Sequence, residues 1–487
     1  MKISVFTFVF ILSLSSFAIA QQPLPNGQIT AITNFFDGYN KHDYKKMRSS
    51  FHWIMKLVLS EWKTKEMFGA QNAMDGNASV LSIKNITASK VSVELVYSGD
   101  TTVRENMGFE FTKKNKIIGF SHQSVKLLYP KSNTNSASDN SIKHSIDSLV
   151  QLKNKGGHFN GCVLAANNGK VIYKNCTGYS NYENKTPLND SSMFELASCS
   201  KQFTAMAIMM LAEQGKLKYT DTIQKYILGL PYKNITIENL LTHTSGIPDY
   251  FEMLDKHWDK TKYASNYDIV TCFQKYKPKI LFKPGKKYEY SNTGYAMLSV
   301  IIEKVSGMTY GDYLSKNIFE PLHMKNTRVY NTRRTKHESI NNYAYGYVYS
   351  DSLKKHVLPD ILPNYDFVIY MDAITGDGDV NSTISDLYLW DKGLRENKLV
   401  LKSTLDKAFT KAKLKSGEEI NYGNGWELQC DGKFENIAYH SGAWPGYHTF
   451  ILHFIDKEKT IIILSNNEYQ NMSEFVNKAA LILEGQK

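Results

Sequence analysis

The sequence predicts a mixed α/β protein of two modules, a small α+β domain followed by a larger domain in which helices flank an antiparallel sheet. Three observations predict it. Strand-like runs stand at both ends of the larger segment with apolar helical stretches between them, so its sheet has to be assembled from distant parts of the chain. A polar stretch without hydrophobic periodicity, PKSNTNSASDNS at 130–141, sets that segment apart from what precedes it. A length of 487 residues also exceeds one ordinary domain.

Residues 1–20, MKISVFTFVFILSLSSFAIA, join Lys2 to an apolar run and a small-x-small ending at Ala18-Ile19-Ala20. This is the pattern of a cleavable export signal, with an uncleaved anchor as the rival reading. Gln21 and Gln22 follow rather than a cysteine, which disfavours a lipoprotein, and the expected location is secreted or periplasmic. Residues 21–129 form the α+β domain: Ile29, Ile32, Phe36 and Tyr39 keep helical spacing, whereas Val91, Val93, Leu95 and Tyr97 alternate, as do Met107, Phe109 and Phe111. Helices before antiparallel strands resemble nuclear-transport-factor-like or cystatin-like accessory modules, and no catalytic constellation is visible there. After the linker at 130–141, the domain 142–487 opens on a hairpin around Asn167-Asn168-Gly169, turns helical, and closes with NIAYHSG, YHTFILHFI and TIIILSNN and a helix over 475–483.

Composition narrows the function classes. A hydrophobic content of 42% allows a large core, and no segment after the leader is long and apolar enough to span a bilayer. The formal charge is +11, but lysines alternate with acids and no basic stripe interleaves with aromatics, so a solvated surface is expected rather than a nucleic-acid partner. Thirteen histidines show no metal-ligand spacing, and neither a metal nor another cofactor is called for. Of the five cysteines, Cys162 and Cys176 bracket the first hairpin and could face each other as a disulfide in an oxidising compartment. Sequence alone does not pair Cys272 or Cys430.

The chemistry concentrates in FELASCSKQFTAMAIMMLAEQGKL, 194–216. Ser198 stands three residues before Lys201 at the start of a helix that is apolar nearly all round. The helix N-terminus stabilises an oxyanion, and an adjacent lysine lowers the barrier to serine deprotonation. Ser-x-x-Lys recurs at Ser60–Lys63 and Ser352–Lys355, so context must select. Two further stretches do. Tyr290-Ser291-Asn292 opens a second apolar helix ending at Gly307; Tyr290 could be held as phenolate beside Lys201, and Asn292 can both donate to and accept from an amide. His440-Ser441-Gly442 ends a strand-like run whose edge could present backbone groups to a substrate. Cys199 should point into the core, away from the face shared by Ser198 and Lys201, and His243 reads as structural.

In this order the three motifs resemble those of the serine β-lactamase and penicillin-binding-protein superfamily, in its class C-like branch. LLTHTSGIPDY (240–250), GDGDVNSTISDLYLWDKGL (376–394) and YGNGWEL (422–428) extend the likeness. The resemblance implies a β-lactamase-like fold with Ser198 as acyl-accepting nucleophile, Lys201 and Tyr290 as the base system and Asn292 orienting the substrate. It implies an oxyanion hole at the N–H groups of Ser198 and Ala443, with His440 and Gly442 shaping the third wall. His440 stands where the superfamily pattern carries a lysine. A titrating imidazole there should weaken the anchor for a substrate carboxylate, with binding improving as pH falls. The expected function is an exported serine hydrolase acting on D-amino-acid peptides, β-lactams or small esters. The alternatives are a carboxylesterase of the same fold and a catalytically silent binding protein for peptidoglycan or peptides. Oligomeric state is not legible.

Overall fold

The computed structural model describes residues 25–485 apart from 60, 62–63, 66–67, 69–76, 88, 99, 128–136, 156–158, 330–333, 335–337, 351, 431–435 and 469–471. The export signal expected at 1–20 and most of the expected linker therefore lie outside the described residues. The chain divides into two compact units, residues 1–129 with 473–477, and residues 130–472 with 478–487.

In the first unit, helix α1 (Asn26–Asn40) precedes a meander of four antiparallel strands, β1 (Ala78–Thr87), β2 (Lys90–Tyr97), β3 (Asp100–Phe111) and β4 (Ile117–Leu127). The helical period of α1 buries Ile32, Phe35, Phe36 and Tyr39, and the alternation of β2 buries Val91, Val93 and Leu95 on one face. Phe35 meets Phe109 and Phe68 edge-on at 5.2 and 5.4 Å, an arrangement favoured by the ring quadrupoles.

The second unit begins with helix α2 (Asp139–Lys155), so the last residues of the polar stretch, Asp139 to Ser141, are helical rather than linker. Asp139 occupies its first turn and Lys153 and Lys155 its last, matching the helix dipole. Strands β5 (Gly161–Asn167) and β6 (Lys170–Thr177) form the expected hairpin. Strands β7 (Glu427–Gln429), β8 (Ile437–Trp444), β9 (Tyr447–Phe454) and β10 (Lys459–Ser465) come from the other end of the domain. Together they make one antiparallel sheet in the order β7-β8-β9-β10-β5-β6. β5 and β10 are adjacent interior strands, buried on both faces, which is why GCVLAAN and TIIILS read as continuous apolar runs. Cys162 and Cys176 are register partners on β5 and β6 and are joined as a disulfide.

Between these ends lie the helices that position the site. Helix α3 (Lys201–Glu213) is buried over nearly its whole length. Trp390 of helix α6 (Ile384–Arg395) packs on Phe203 at 4.4 Å, and its indole N–H donates to Gln202 Oε1 at 2.9 Å. Truncating a buried aromatic such as Phe203 to alanine would cost about 3–5 kcal/mol. Helix α4 (Asn266–Tyr276) precedes the second motif. Helix α5 (Asn292–Ser306) packs against α3, capped by Ser291, whose hydroxyl accepts from Gly294 N–H, and ended by Gly307 at φ +73°. Helix α7 (Met472–Leu483) closes the chain.

Candidate active site

Ser198 lies in a 3-10 turn, Ala197–Ser200, that feeds directly into α3, so the helix proper starts at Lys201. The turn is entered through Ala197 at φ +48°, a left-handed backbone that costs an L-residue of order 1 kcal/mol or more. Ser200 fixes the turn from below, its hydroxyl accepting Val380 N–H at 2.9 Å. Cys199 points inward as expected: its thiol is buried, donates to the His440 carbonyl at 3.1 Å and is pushed up to about 12 by burial. It is not a nucleophile at neutral pH.

Lys201 is fully buried, and its ammonium contacts Ser198 Oγ at 3.0 Å, Asn292 Oδ1 at 2.9 Å and the Asp377 carbonyl at 2.6 Å. Burial disfavours the charged form and brings its pKa down to about 8, against the opposing pull of Asp377 and Asp249. An appreciable fraction of neutral amine is therefore present at mildly alkaline pH, within hydrogen-bond reach of the serine.

Tyr290 departs from the phenolate expectation. Burial raises its pKa well above the usual phenol value, outweighing the lowering influence of Ser198, and the nearby Glu427 adds to the rise. The Lys201 ammonium lies over the ring face, 5.0 Å from the centroid, rather than beside the oxygen alone. The phenol is thus neutral and available as a proton donor or relay. His243 stacks on it at 4.2 Å with Nδ1 accepting Ser291 N–H at 3.0 Å, which places the ring proton on Nε2 and holds the imidazole neutral. The LLTHTSG stretch thereby supports the second motif.

Asn292 opens α5, and because its Oδ1 accepts from Lys201, its amide N–H groups remain for a ligand. A cleft of about 160 Å³ is lined by Ser198, Asn292, Ala443, Trp444, Tyr250 and Phe251, with Glu195, Asp372, Asp377 and Asp379 along one side, where burial raises the pKa values of Asp377 and Asp379 and Arg334 pairs with Asp372. β7 pairs only with Ile437–Tyr439, so beyond Tyr439 that edge of β8 has no strand neighbour among the described residues. Gly442 is required for close approach: a Cβ there would lie 2.2 Å from the Leu196 carbonyl and 3.1 Å from Ser198 N. This packing brings the third motif against the nucleophile's turn.

His440 is corrected most. Its side chain is buried, with Nε2 accepting from the Tyr422 hydroxyl at 3.0 Å and Nδ1 3.0 Å or less from a carbonyl, that of Ser441, at 2.7 Å. Burial, with the Lys201 charge acting in the same direction, pushes its pKa down to about 3. The ring is a neutral bridge to Tyr422 and does not line the cleft, so it neither anchors a carboxylate nor titrates near neutrality. Tyr250, whose hydroxyl donates to Asp377 Oδ2 at 2.9 Å, and Asp377, whose carbonyl holds Lys201, were not singled out from sequence. They lie within GIPDY and GDGD, stretches noted for likeness but carrying no local pattern that declares a role. Among the described residues no group of three or more His, Cys, Asp or Glu is arranged to hold a metal ion.

Comparison with known proteins agrees with this geometry. The beta-lactamase family profile matches residues 146–486. Penicillin-binding protein 4* of Bacillus subtilis (strain 168) is 44% identical over 349 residues, covering 71% of this chain and 77% of that protein. The octameric penicillin-binding protein homologue from Pyrococcus abyssi is 28% identical, with a TM-score of 0.59 over 71% of this chain and 78% of that one. The D-amino acid amidase from Ochrobactrum anthropi SV3 shares the fold at 22% identity, with a TM-score of 0.58 over 71% of this chain and 99% of that one. The chain belongs to the beta-lactamase family, as a serine hydrolase related to penicillin-binding protein 4*.

Proposed function

We propose that the protein hydrolyses amide or ester bonds of D-amino-acid derivatives through an acyl-enzyme at Ser198. The observation that carries this reading is the 3.0 Å contact between Ser198 Oγ and a buried Lys201 whose pKa is brought down to about 8. Neutral Lys201 takes the serine proton as Oγ attacks the substrate carbonyl, and the N–H groups of Ser198 and Ala443 receive the oxyanion. The neutral Tyr290 phenol passes a proton to the leaving group and regains one from Lys201. Water then enters by the reverse sequence and releases the acid. Asn292 orients the substrate amide.

The carboxyl groups along the cleft carry little free charge, since burial favours the neutral forms of Asp377 and Asp379 and Asp372 is paired with Arg334, so acyl groups are distinguished by shape and hydrogen bonding more than by charge. Penicillins and cephalosporins stand beside D-amino-acid amides and esters as candidate substrates. The leader-like first twenty residues support an exported protein, and the small first unit is proposed as an accessory module. A panel of D-Ala-D-Ala peptides, D-amino-acid amides, p-nitrophenyl esters and nitrocefin, with mass mapping of a fluorophosphonate adduct, tests the proposal. Labelling at Ser198 with turnover of D-configured substrates is expected. Labelling elsewhere, or no turnover with an intact adduct site, would reject it.

A further inference from the structure

Away from the cleft, the chain gathers Lys233, Lys277, Lys279, Lys283, Lys286 and Lys415 around one open depression of about 640 Å³ that no acidic residue lines. All six are exposed, and none takes part in an ion pair among the described residues, whereas the nearby Lys413 and Lys407 pair with Glu419 and Glu238. The six ammonium groups thus share one concavity with no carboxylate among its lining residues. An anion entering it would meet several positive charges without a competing carboxylate.

The floor is apolar and stiff. Pro231, Pro278 and Pro284 restrict the backbone, and the buried Tyr232 donates its hydroxyl to the Pro278 carbonyl at 3.0 Å. Main-chain bonds tie the contributing segments together: Lys415 N–H to the Gly285 carbonyl at 2.8 Å, Gly285 N–H to the Thr244 carbonyl at 2.8 Å and Leu281 N–H to the Gly246 carbonyl at 2.9 Å. The lysine stems are thus mounted on a fixed frame, which lowers the ordering cost of binding.

We propose that this depression binds a soluble, linear phosphate-bearing polyanion. Lysine presents a compact charge without the planar fork that arginine offers, so the rim reads charge spacing rather than the plane of a single carboxylate. No exposed aromatic lines the depression, so bases would find no stacking platform, and a single-stranded nucleic acid is disfavoured. The charges surround a concavity, which a flexible chain can enter and a flat bilayer cannot. The sequence expectation of a merely solvated surface is revised here: KYKPKILFKPGKK, 275–287, is locally lysine-rich, and the fold adds Lys233 and Lys415 to it. Binding at this place is independent of the reaction proposed at Ser198.

The test uses the full chain and inorganic polyphosphate, with poly(dT) and phosphatidylglycerol vesicles as comparison ligands. Polyphosphate should bind with an affinity that falls as salt rises. The triple variant Lys233→Gln, Lys279→Gln, Lys283→Gln should lose at least about tenfold in affinity and about two units of the log–log salt slope, with hydrolysis of a small ester unchanged. A charge-matched triple variant at Lys316, Lys325 and Lys355, which do not line the depression, should keep wild-type binding. Equal loss in both triple variants would reduce the effect to net charge and overturn the proposal. So would retention on vesicles or poly(dT) without retention of polyphosphate.

Discussion

Lys201 beside the nucleophile and His440 within the third wall, behind the cleft surface, are both buried bases, and both have their pKa values lowered chiefly by the same effect, desolvation. The outcomes differ because the starting points differ. A lysine that begins near 10.5 comes down to about 8, where a modest rise in pH frees its lone pair. A histidine that begins near 6.5 goes down to about 3 and becomes a fixed neutral spacer. Burial therefore makes one residue reactive and the other inert. The hydrogen bonds agree: Lys201 reaches Ser198, whereas His440 reaches Tyr422.

The largest effects should come from the reactive wall. Ser198→Ala and Lys201→Met should each lower kcat/KM for the best panel substrate by about 10⁴-fold or more, the scale seen when a nucleophile or its base is removed. In the wild type, kcat/KM should rise about tenfold per pH unit below an inflection near 8 and level above it, because the neutral amine is the active form. Steady-state profiles from pH 5.5 to 9.5 check this. An inflection near 6 to 7 instead would return His440 to the role of titrating group and break the contrast.

Tyr290→Phe should cost about 10²-fold in kcat, the contribution of one positioned proton donor, while leaving unfolding unchanged within about 1 kcal/mol. His243→Phe sharpens the comparison through the ring that stacks on Tyr290. It keeps a ring against Tyr290 but removes the acceptor for Ser291 N–H, so a buried donor is left unsatisfied. About 1–3 kcal/mol of stability should be lost by urea unfolding, with kcat lowered about tenfold and KM little altered.

How far these residues were legible from sequence depends on whether their role is local. Ser198 and Lys201 are three apart at a helix start, so spacing alone puts them on one face; Tyr290 and Asn292 are likewise marked by the apolar helix that follows. That the sheet joins the two ends of the domain followed from the strand-like runs there, though not its strand order, and the facing of Cys162 and Cys176 followed from the hairpin that opposes them. The protonation states were not legible, because they depend on side chains brought in from elsewhere: Tyr422 beside His440, Glu427 near Tyr290, Asp377 and Asp249 around Lys201. The left-handed backbone at Ala197 escaped for a related reason. It is imposed by packing, where glycine would have announced it. The lysine-lined depression had a local signal at 275–287 but only the tertiary fold supplied its rim.

The smallest effect on turnover should come from His440→Gln, and it is informative because its effect on stability is not small. At pH 7 to 8 the variant should retain activity within about threefold and the same inflection near 8, since the ring contributes no charge to the cleft. Its folded pKa of about 3 lies below the unfolded value near 6.5, so between these values the unfolded chain binds the extra proton. By linkage, stability from this group is fully present above about pH 6.5 and is lost as pH falls toward the folded pKa. At pH 5 the loss is about 2 kcal/mol, from roughly 1.5 pH units at 1.36 kcal/mol each. The glutamine variant lacks this loss. His243, which titrates in the same direction, is present in both proteins and cancels in the comparison. Urea unfolding of the two proteins at pH 7.5 and pH 5 measures the difference. The variant should begin less stable by the Tyr422 hydrogen bond, about 1 kcal/mol, and close or reverse that gap on acidification. A gap that stays constant with pH would mean that His440 takes up its proton in the folded state, and the contrast between the two walls would fail.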